Sequence, residues 1–287
     1  MTNLRTLLEA QAPLLVPGVA NPLTALVAAD IGFGALYVTG AGVSNFALGV
    51  PDIGLITPND LVEVTLAIAG VVDLPLIVDA DTGFGNAVNA YHVVRRLEAA
   101  GAAAIQLEDQ LFPKKCGHFD GKQVVPTAEM VDKIKAAVDG RRSAETLIIA
   151  RTDARAIDGF EAAIERAHAY REAGADILFV EALTSREEVL SAPARVGDVP
   201  QIINMVFGGK TPPLPLDTLG QAGYRIALYA NAALQGAITG MQRVLGALHD
   251  TGSLDGVAEH VAPFVERQRL VNKPKYDALE ARFAARS

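Results

Sequence analysis

The sequence predicts an α/β protein of the (β/α)8 barrel type, and three observations carry that expectation. Eight apolar runs of strand length are spaced along the chain, and most follow a helix-like segment ending in glycine. The runs are continuous rather than alternating, as parallel strands covered on both faces must be. No linker rich in Pro, Ser or charge divides the 287 residues. A single domain spanning 1–287 and closing as a barrel is therefore favoured over an open doubly wound sheet.

In order, the expected strands are Leu14–Val16, Ala35–Thr39, Leu76–Asp79, Ala104–Glu108, Leu147–Ala150, Ile177–Val180, Gln201–Asn204 and Arg225–Tyr229. YHVVRRLEAAG precedes the fourth, FEAAIERAHAYREAG the sixth and LDTLGQAG the eighth. After Asn231 the chain carries further helical segments through Met241–His249, Val257–Leu270 and Tyr276–Arg286. These exceed what closing a barrel needs. Extra helices often serve contacts between subunits, so a homo-oligomer is expected.

Composition narrows the function. A net charge of −8 without a basic run argues against nucleic acid as a partner. The uncharged stretch from Ala10 to Ala29 is interrupted by Pro13, Pro17 and Pro22, which makes it a poor membrane span. The N-terminus lacks the basic start and small-residue cleavage site of a secretory signal. One cysteine excludes an intrachain disulfide and fits a reducing compartment, so a cytoplasmic location is expected.

Barrels of this kind place their chemistry at the carboxyl ends of the strands. Here those ends read Thr39-Gly40, Asp79-Ala80-Asp81, Glu108-Asp109, Arg151-Thr152-Asp153, Glu181, Asn204 and Tyr229. Each alone could be a turn residue or a helix cap, but so many polar endings at one mouth are hard to explain as packing. Residues two apart on a strand point the same way, which directs Asp79 and Asp81 inward together, and Gln106 with Glu108. Three carboxylates at adjacent strand ends repel one another unless a cation lies between them. Mg²⁺, with Mn²⁺ as a substitute, suits Asp79, Asp81 and Glu108, one binding directly and two through water. Arg151 would then face the anionic part of a substrate, or pair with Asp153 or Glu181.

Gly40-Ala41-Gly42 after the second strand lets backbone N–H groups approach a ligand carboxylate. A dinucleotide fingerprint would need a third glycine where Asn45 stands, and the hydrolase elbow GxSxG is absent. No lysine ends a strand, which weakens a Schiff-base mechanism. The densest ionisable stretch is AIQLEDQLFPKKCGH, Ala104–His118. It sets Lys114, Lys115, the single thiol Cys116 and His118 within ten residues of Glu108.

Tyr37-Val38-Thr39-Gly40, Pro51-Asp52, Asp79-Ala80-Asp81-Thr82-Gly83-Phe84-Gly85, Glu108-Asp109, Lys114-Lys115-Cys116-Gly117-His118 and Arg151-Thr152-Asp153 together resemble the isocitrate lyase/phosphoenolpyruvate mutase superfamily. The KKCGH loop resembles its lyase branch. The resemblance implies a barrel whose last helix is exchanged between neighbours, a tetramer built as a dimer of dimers, Mg²⁺ near Asp79, Asp81 and Glu108, and a gating loop around Lys114–His118. It further implies cleavage of a 2-hydroxy di- or tricarboxylic acid to an α-keto acid and a second carboxylic acid. Cys116 would be the general acid, with Lys114 and His118 stabilising the thiolate it becomes. Tyr37 or Glu108 would take the hydroxyl proton. Thr39, Gly40, Ala41, Asp52, Gly117, Arg151, Glu181 and Asn204 would contact substrate. Two positions depart from the lyase pattern: Thr39 where many lyases have Ser, and Tyr229-Ala230-Asn231, which resembles the phosphonate branch. A phosphonate mutase or an oxaloacetate hydrolase or decarboxylase is the alternative, and a catalytically idle scaffold a third reading.

Overall fold

A computed structural model describes residues 3–10, 12–117 and 121–284. Eight strands run in chain order around a closed barrel, β1 Leu14–Val19, β2 Leu36–Val38, β3 Leu76–Asp79, β4 Ala102–Glu108, β5 Leu147–Thr152, β6 Ile177–Val180, β7 Gln201–Asn204 and β8 Ile226–Tyr229. Every neighbouring pair is parallel, including β1 with β8. The expected (β/α)8 architecture is the observed one.

Alternation along each strand splits the apolar side chains into two layers. Val16, Tyr37, Ile77, Ile149, Phe179 and Leu228 point into the barrel. Leu36, Val38, Val78, Ile105, Ile148 and Ile203 face the surrounding helices. Both layers are apolar, which is why the strands read as unbroken runs.

Local chemistry starts the helices where the strands need them. Thr57 and Asp60 form a reciprocal capping box ahead of Pro58–Ala69, with Pro58 at the first turn. Asn86 and Asn89 do the same for Ala87–Ala99, and Asn21 and Ser185 cap Pro22–Ile31 and Arg186–Val196. These caps satisfy the free N–H groups at each helix start.

The tail differs from its neighbours. Helix Ala232–Thr251 has no buried residue, and the outward side chains Leu15 of β1 and Tyr229 of β8 are each 37% exposed. Beyond it, the expected helix Val257–Leu270 is broken. A 3-10 turn covers Asp255–His260, Val261 is extended, and a new helix Phe264–Leu270 starts after Pro263. Proline has no N–H to continue the first helix and suits the start of the second. The last helix, Lys273–Phe283, overlaps the expected Tyr276–Arg286 segment and begins three residues earlier; Ala285 and Arg286 of that segment fall outside the described residues. Arg269 ties the tail to the barrel through Asp30 at 2.6 Å. Among the described residues no helix is long and apolar enough to cross a membrane.

Candidate active site

The carboxyl ends of β2, β3 and β4 are linked by a buried hydrogen-bond chain. Tyr37 donates its hydroxyl to Gln106 Oε1 at 2.8 Å, and Gln106 Nε2 donates to Asp79 Oδ1 at 3.0 Å. The parallel register pairs Asp79 with Gln106, so the carboxylate and amide meet as a consequence of barrel closure. Burial, then the negative charge of Asp79, pushes the Tyr37 phenol well above its usual range. In this geometry Tyr37 is a proton donor.

Asp81 reaches the same place by another route than strand alternation. β3 ends at Asp79, and Asp81 adopts a left-handed φ of 47°. Its carboxylate is turned inward by that backbone, a conformation non-glycine residues adopt only where the surroundings hold it. Gly40 fits between the two acids: a Cβ there would lie 3.1 Å from Asp81 Oδ1 and 3.4 Å from Asp79 Oδ2. Gly40–Val43 forms a short helix, and Thr39 ahead of it makes no side-chain cap, leaving its hydroxyl at the cavity wall.

Lys114 enters this acidic ring from the loop, with Nζ 2.5 Å from Asp52 Oδ1 and 2.8 Å from Asp81 Oδ1. The ammonium lies within hydrogen-bond distance of Asp81 Oδ1, while Asp81 Oδ2 and Glu108 Oε1 are buried without a donor. Burial, with Asp79 and Asp52 nearby, pushes Asp81 up to about 7 despite Lys114. Glu108 is likewise pushed well above the carboxylate range, chiefly by burial and against Arg151. Burial raises both acids even with Lys114 and Arg151 beside them, and each keeps an oxygen with no donor. Among the described residues no three His, Cys, Asp or Glu side chains converge at the spacing of a closed metal cage. The unpaired carboxylate oxygens at Asp81 and Glu108 are hard oxygen donors of the kind Mg²⁺ takes.

Arg151 forms the opposite side. It stands beside Glu108 in the β4–β5 register, with Nη1 3.4 Å from Glu108 Oε2 and 3.6 Å from Glu181 Oε2. Asp153 grips it through Nε at 2.9 Å and Nη2 at 3.1 Å. Asp153 also accepts from Lys122 Nζ at 2.6 Å. Although burial opposes ionisation, Arg151 and Lys122 hold Asp153 down at about 2. Arg151 thus faces the cavity and pairs with Asp153 at once. Asn204 Nδ2 donates to Glu181 Oε2 at 3.3 Å, leaving its own Oδ1 unpaired. Asp109, adjacent to Glu108, turns the other way into the helix layer. It accepts from Thr152 Oγ1 at 2.7 Å, Asp153 N at 2.8 Å, Tyr170 at 2.8 Å and Arg166 at 3.2 Å. Its work is to fix the end of β5.

The loop lies across this ring. Cys116 N donates to the Asp52 carbonyl at 3.1 Å, and Gln110 brackets Lys115 through Nε2 to its carbonyl at 2.8 Å and Oε1 from its N–H at 2.9 Å. Gly117 packs against Arg151 and Glu181 so closely that a Cβ would strike the guanidinium. His118 lies outside the described residues. One narrow cavity is lined by Tyr37, Thr39, Ala41, Asp52, Asp79, Glu108, Lys114, Cys116, Gly117, Arg151, Glu181 and Asn204. Gly40 and Asp81 stand directly behind that wall. Sequence reasoning missed Phe179 and Leu228, which line the same cavity, and gave no role to Ala230 and Asn231, which line it too and entered only as a departure from the lyase pattern. The apolar members carry no signal that separates them from core strands. Asn231 follows β8 within a polar strand ending and could have been taken up on that ground. Lys122, buried beneath the loop, also had no signal.

Residues 4–249 match the family described as phosphoenolpyruvate phosphomutase. The chain is 45% identical over 278 residues to a 2-methylisocitrate lyase of Aeropyrum pernix, covering 97% of this chain and 89% of that protein. It is 42% identical over 282 residues to the 2,3-dimethylmalate lyase of Eubacterium barkeri, covering 98% and 97%. Among solved structures it is similar to a phosphoenolpyruvate phosphomutase from Streptomyces platensis subsp. rosaceus, with TM-score 0.93, 30% identity and 98% of both chains covered. An oxaloacetate acetylhydrolase bound to 3,3-difluorooxalacetate gives TM-score 0.90, 33% identity, and 97% and 94% coverage. A phosphonopyruvate hydrolase complexed with oxalate and Mg²⁺ gives TM-score 0.87, 32% identity and 98% coverage of both chains.

Proposed function

Because the chain belongs to the phosphoenolpyruvate phosphomutase family, on the lyase branch of the isocitrate lyase/phosphoenolpyruvate mutase superfamily, we propose that it is a Mg²⁺-dependent carbon–carbon lyase. Its substrate is a 2-hydroxy di- or tricarboxylic acid of the 2-methylisocitrate or 2-alkylmalate kind, cleaved to pyruvate or a related α-keto acid and a second carboxylic acid. One observation carries the reading: the Cys116 segment lines the same cavity as Asp79, Glu108 and Arg151.

The residues divide the work as follows. Arg151 and the backbone N–H groups at Gly40 and Ala41 hold the carboxylate beside the substrate hydroxyl. Asp79, Asp81 and Glu108 would hold Mg²⁺, directly or through water, and Mn²⁺ could replace it. When bound, the cation supplies charge stabilisation for an ionised hydroxyl. Glu108, whose Oε1 has no donor of its own, takes the hydroxyl proton. Tyr37 keeps its own proton and orients Asp79 through Gln106. As the hydroxyl oxygen becomes the keto oxygen, the carbon–carbon bond breaks and its electron pair moves to the carbon next to the departing carboxylate. Cys116 gives that carbon its proton. Lys114, Lys115 and His118, all within two residues of Cys116 in sequence, would stabilise the thiolate that results. Asp52, Glu181, Asn204, Thr39 and Gly117 shape and polarise the pocket, and the Lys114–His118 loop excludes water from the carbanion.

The unburied helix Ala232–Thr251 supports a homotetramer, a dimer of dimers with this helix exchanged. Its Ile238, Met241, Leu245 and Leu248 share one exposed face, and Leu15 and Tyr229 are partly exposed where the barrel closes. The lone cysteine fits a cytoplasmic location.

The deciding experiment is product analysis by NMR across a panel of substituted malates and methylisocitrate, with phosphonopyruvate and oxaloacetate alongside, so that pyruvate, phosphoenolpyruvate and oxalate are each read directly. Turnover confined to the substituted hydroxy acids supports the lyase. Turnover confined to phosphonopyruvate or oxaloacetate replaces it with the mutase or hydrolase reading, which the carboxamide of Asn231 in the cavity wall favours.

A further inference from the structure

Lys122 has no part in the reaction just described, yet its side chain is only 1% exposed and carries an ammonium. A buried lysine is costly unless its charge is paired and its protons are all directed at acceptors. Its partners are specific: Asp153 Oδ1 at 2.6 Å and the backbone carbonyl of Gly117. Asp153 in turn grips Arg151, and Gly117 rests against the Arg151 guanidinium. Lys122, Asp153, Arg151 and Gly117 therefore close a ring of contacts. One corner is the group that would bind the substrate carboxylate, and another is the residue directly after Cys116.

We propose that Lys122 is a positioning residue that fixes the backbone at Gly117, and with it the Cys116 thiol, over the substrate site, coupling that position to Arg151 through Asp153. The Gly117 carbonyl cannot shift without stripping an acceptor from a buried ammonium. Nor can Arg151 move toward a ligand without leaving Asp153 to Lys122 alone. The ring thereby ties thiol placement to the state of the guanidinium. This inference rests on the role of Cys116 given above.

The test uses the full chain and its single thiol, whose alkylation by iodoacetamide can be followed without turnover. In Lys122→Met, alkylation of Cys116 should run about tenfold faster, and saturating pyruvate with Mg²⁺, which should slow it in the parent chain, should not slow it in the variant. With the best substrate of the panel, kcat should fall about 100-fold while KM changes less, and Lys122→Gln, which keeps a donor for Gly117, should recover part of both effects. Unchanged alkylation and kcat in a folded Lys122→Met overturn the proposal. So does a lowered melting temperature with unchanged alkylation, which marks a structural ion pair only. If Lys122→Met does not fold, Lys122→Gln carries the same readouts, and a chain that folds with neither also overturns it. Altered alkylation in a chain that cleaves no hydroxy acid keeps the positioning role and removes the lyase reading instead.

Discussion

Asp153 and Glu108 sit on neighbouring strands and titrate in opposite directions because of what faces them. Asp153 has two cations within hydrogen-bond reach and is held at about 2, whereas Glu108 keeps one oxygen without a donor and is pushed up. The sign of the stability effect follows. Asp153 binds its proton less tightly folded than unfolded, where 3.8 applies, so its contribution is complete above pH 3.8 and is lost as pH falls toward 2. The difference corresponds to about 2 kcal/mol. Urea melts between pH 5 and pH 2.5 should show the parent chain losing about that much more stability than Asp153→Asn; equal losses would mean Asp153 is not ionised between its two cations. At the same scale, Cys116→Ser should lower kcat for cleavage by about 1000-fold, the range of a lost general acid. Calorimetric binding of pyruvate with Mg²⁺ should stay within about twofold of the parent, and full activity would remove the thiol from the mechanism.

The Lys114–Gly117 segment acts as a unit because its contacts come from several strand ends together: Asp52 and Asp81 through Lys114, the Asp52 carbonyl through Cys116, and Arg151 with Glu181 through Gly117. Gly117 has no left-handed φ, so alanine is tolerated by its backbone. An added Cβ meets Arg151 and lies 3.0 Å from Glu181 Cγ. Gly117→Ala should therefore lower kcat about tenfold or more by lifting the loop, while the melting temperature moves by no more than about 2 °C. A large drop in melting temperature with normal kcat would place the glycine in the fold instead. The strands themselves were readable in advance because parallel strands buried on both faces admit only apolar residues, and the observed limits differ from the expected ones by a few residues. Two neighbours show where that stops. Glu108 and Asp109 are both acidic at the end of β4, but alternation sends one to the cavity and the other to Arg166 and Tyr170 in the helix layer. Asp81 reaches its place behind the cavity wall, beside Lys114, through a left-handed turn that strand periodicity does not describe.

At the scale of the whole molecule, Leu15 and Tyr229 are partly exposed where the barrel closes, and none of the described tail α-helices Ala232–Thr251, Phe264–Leu270 and Lys273–Phe283 has a buried residue. Leu245 lies on the exposed apolar face of helix Ala232–Thr251. Leu245→Asp should shift sedimentation toward smaller species while far-ultraviolet dichroism stays unchanged; an unaltered sedimentation profile would mean this face is not an interface. The sequence by itself determined the barrel class, the polar strand ends and the loop that carries the thiol, because burial on both faces and the clustering of ionisable side chains are written locally, residue by residue. Only the tertiary structure decided that Lys114 lies between Asp52 and Asp81, that Asp153 is shared by Arg151 and a lysine no local pattern marks, and that Asp109 serves the frame rather than the cavity. Those facts depend on barrel closure bringing side chains from separate strands and loops within a few ångströms, where charge and desolvation act through space, and distance along the chain carries no record of that.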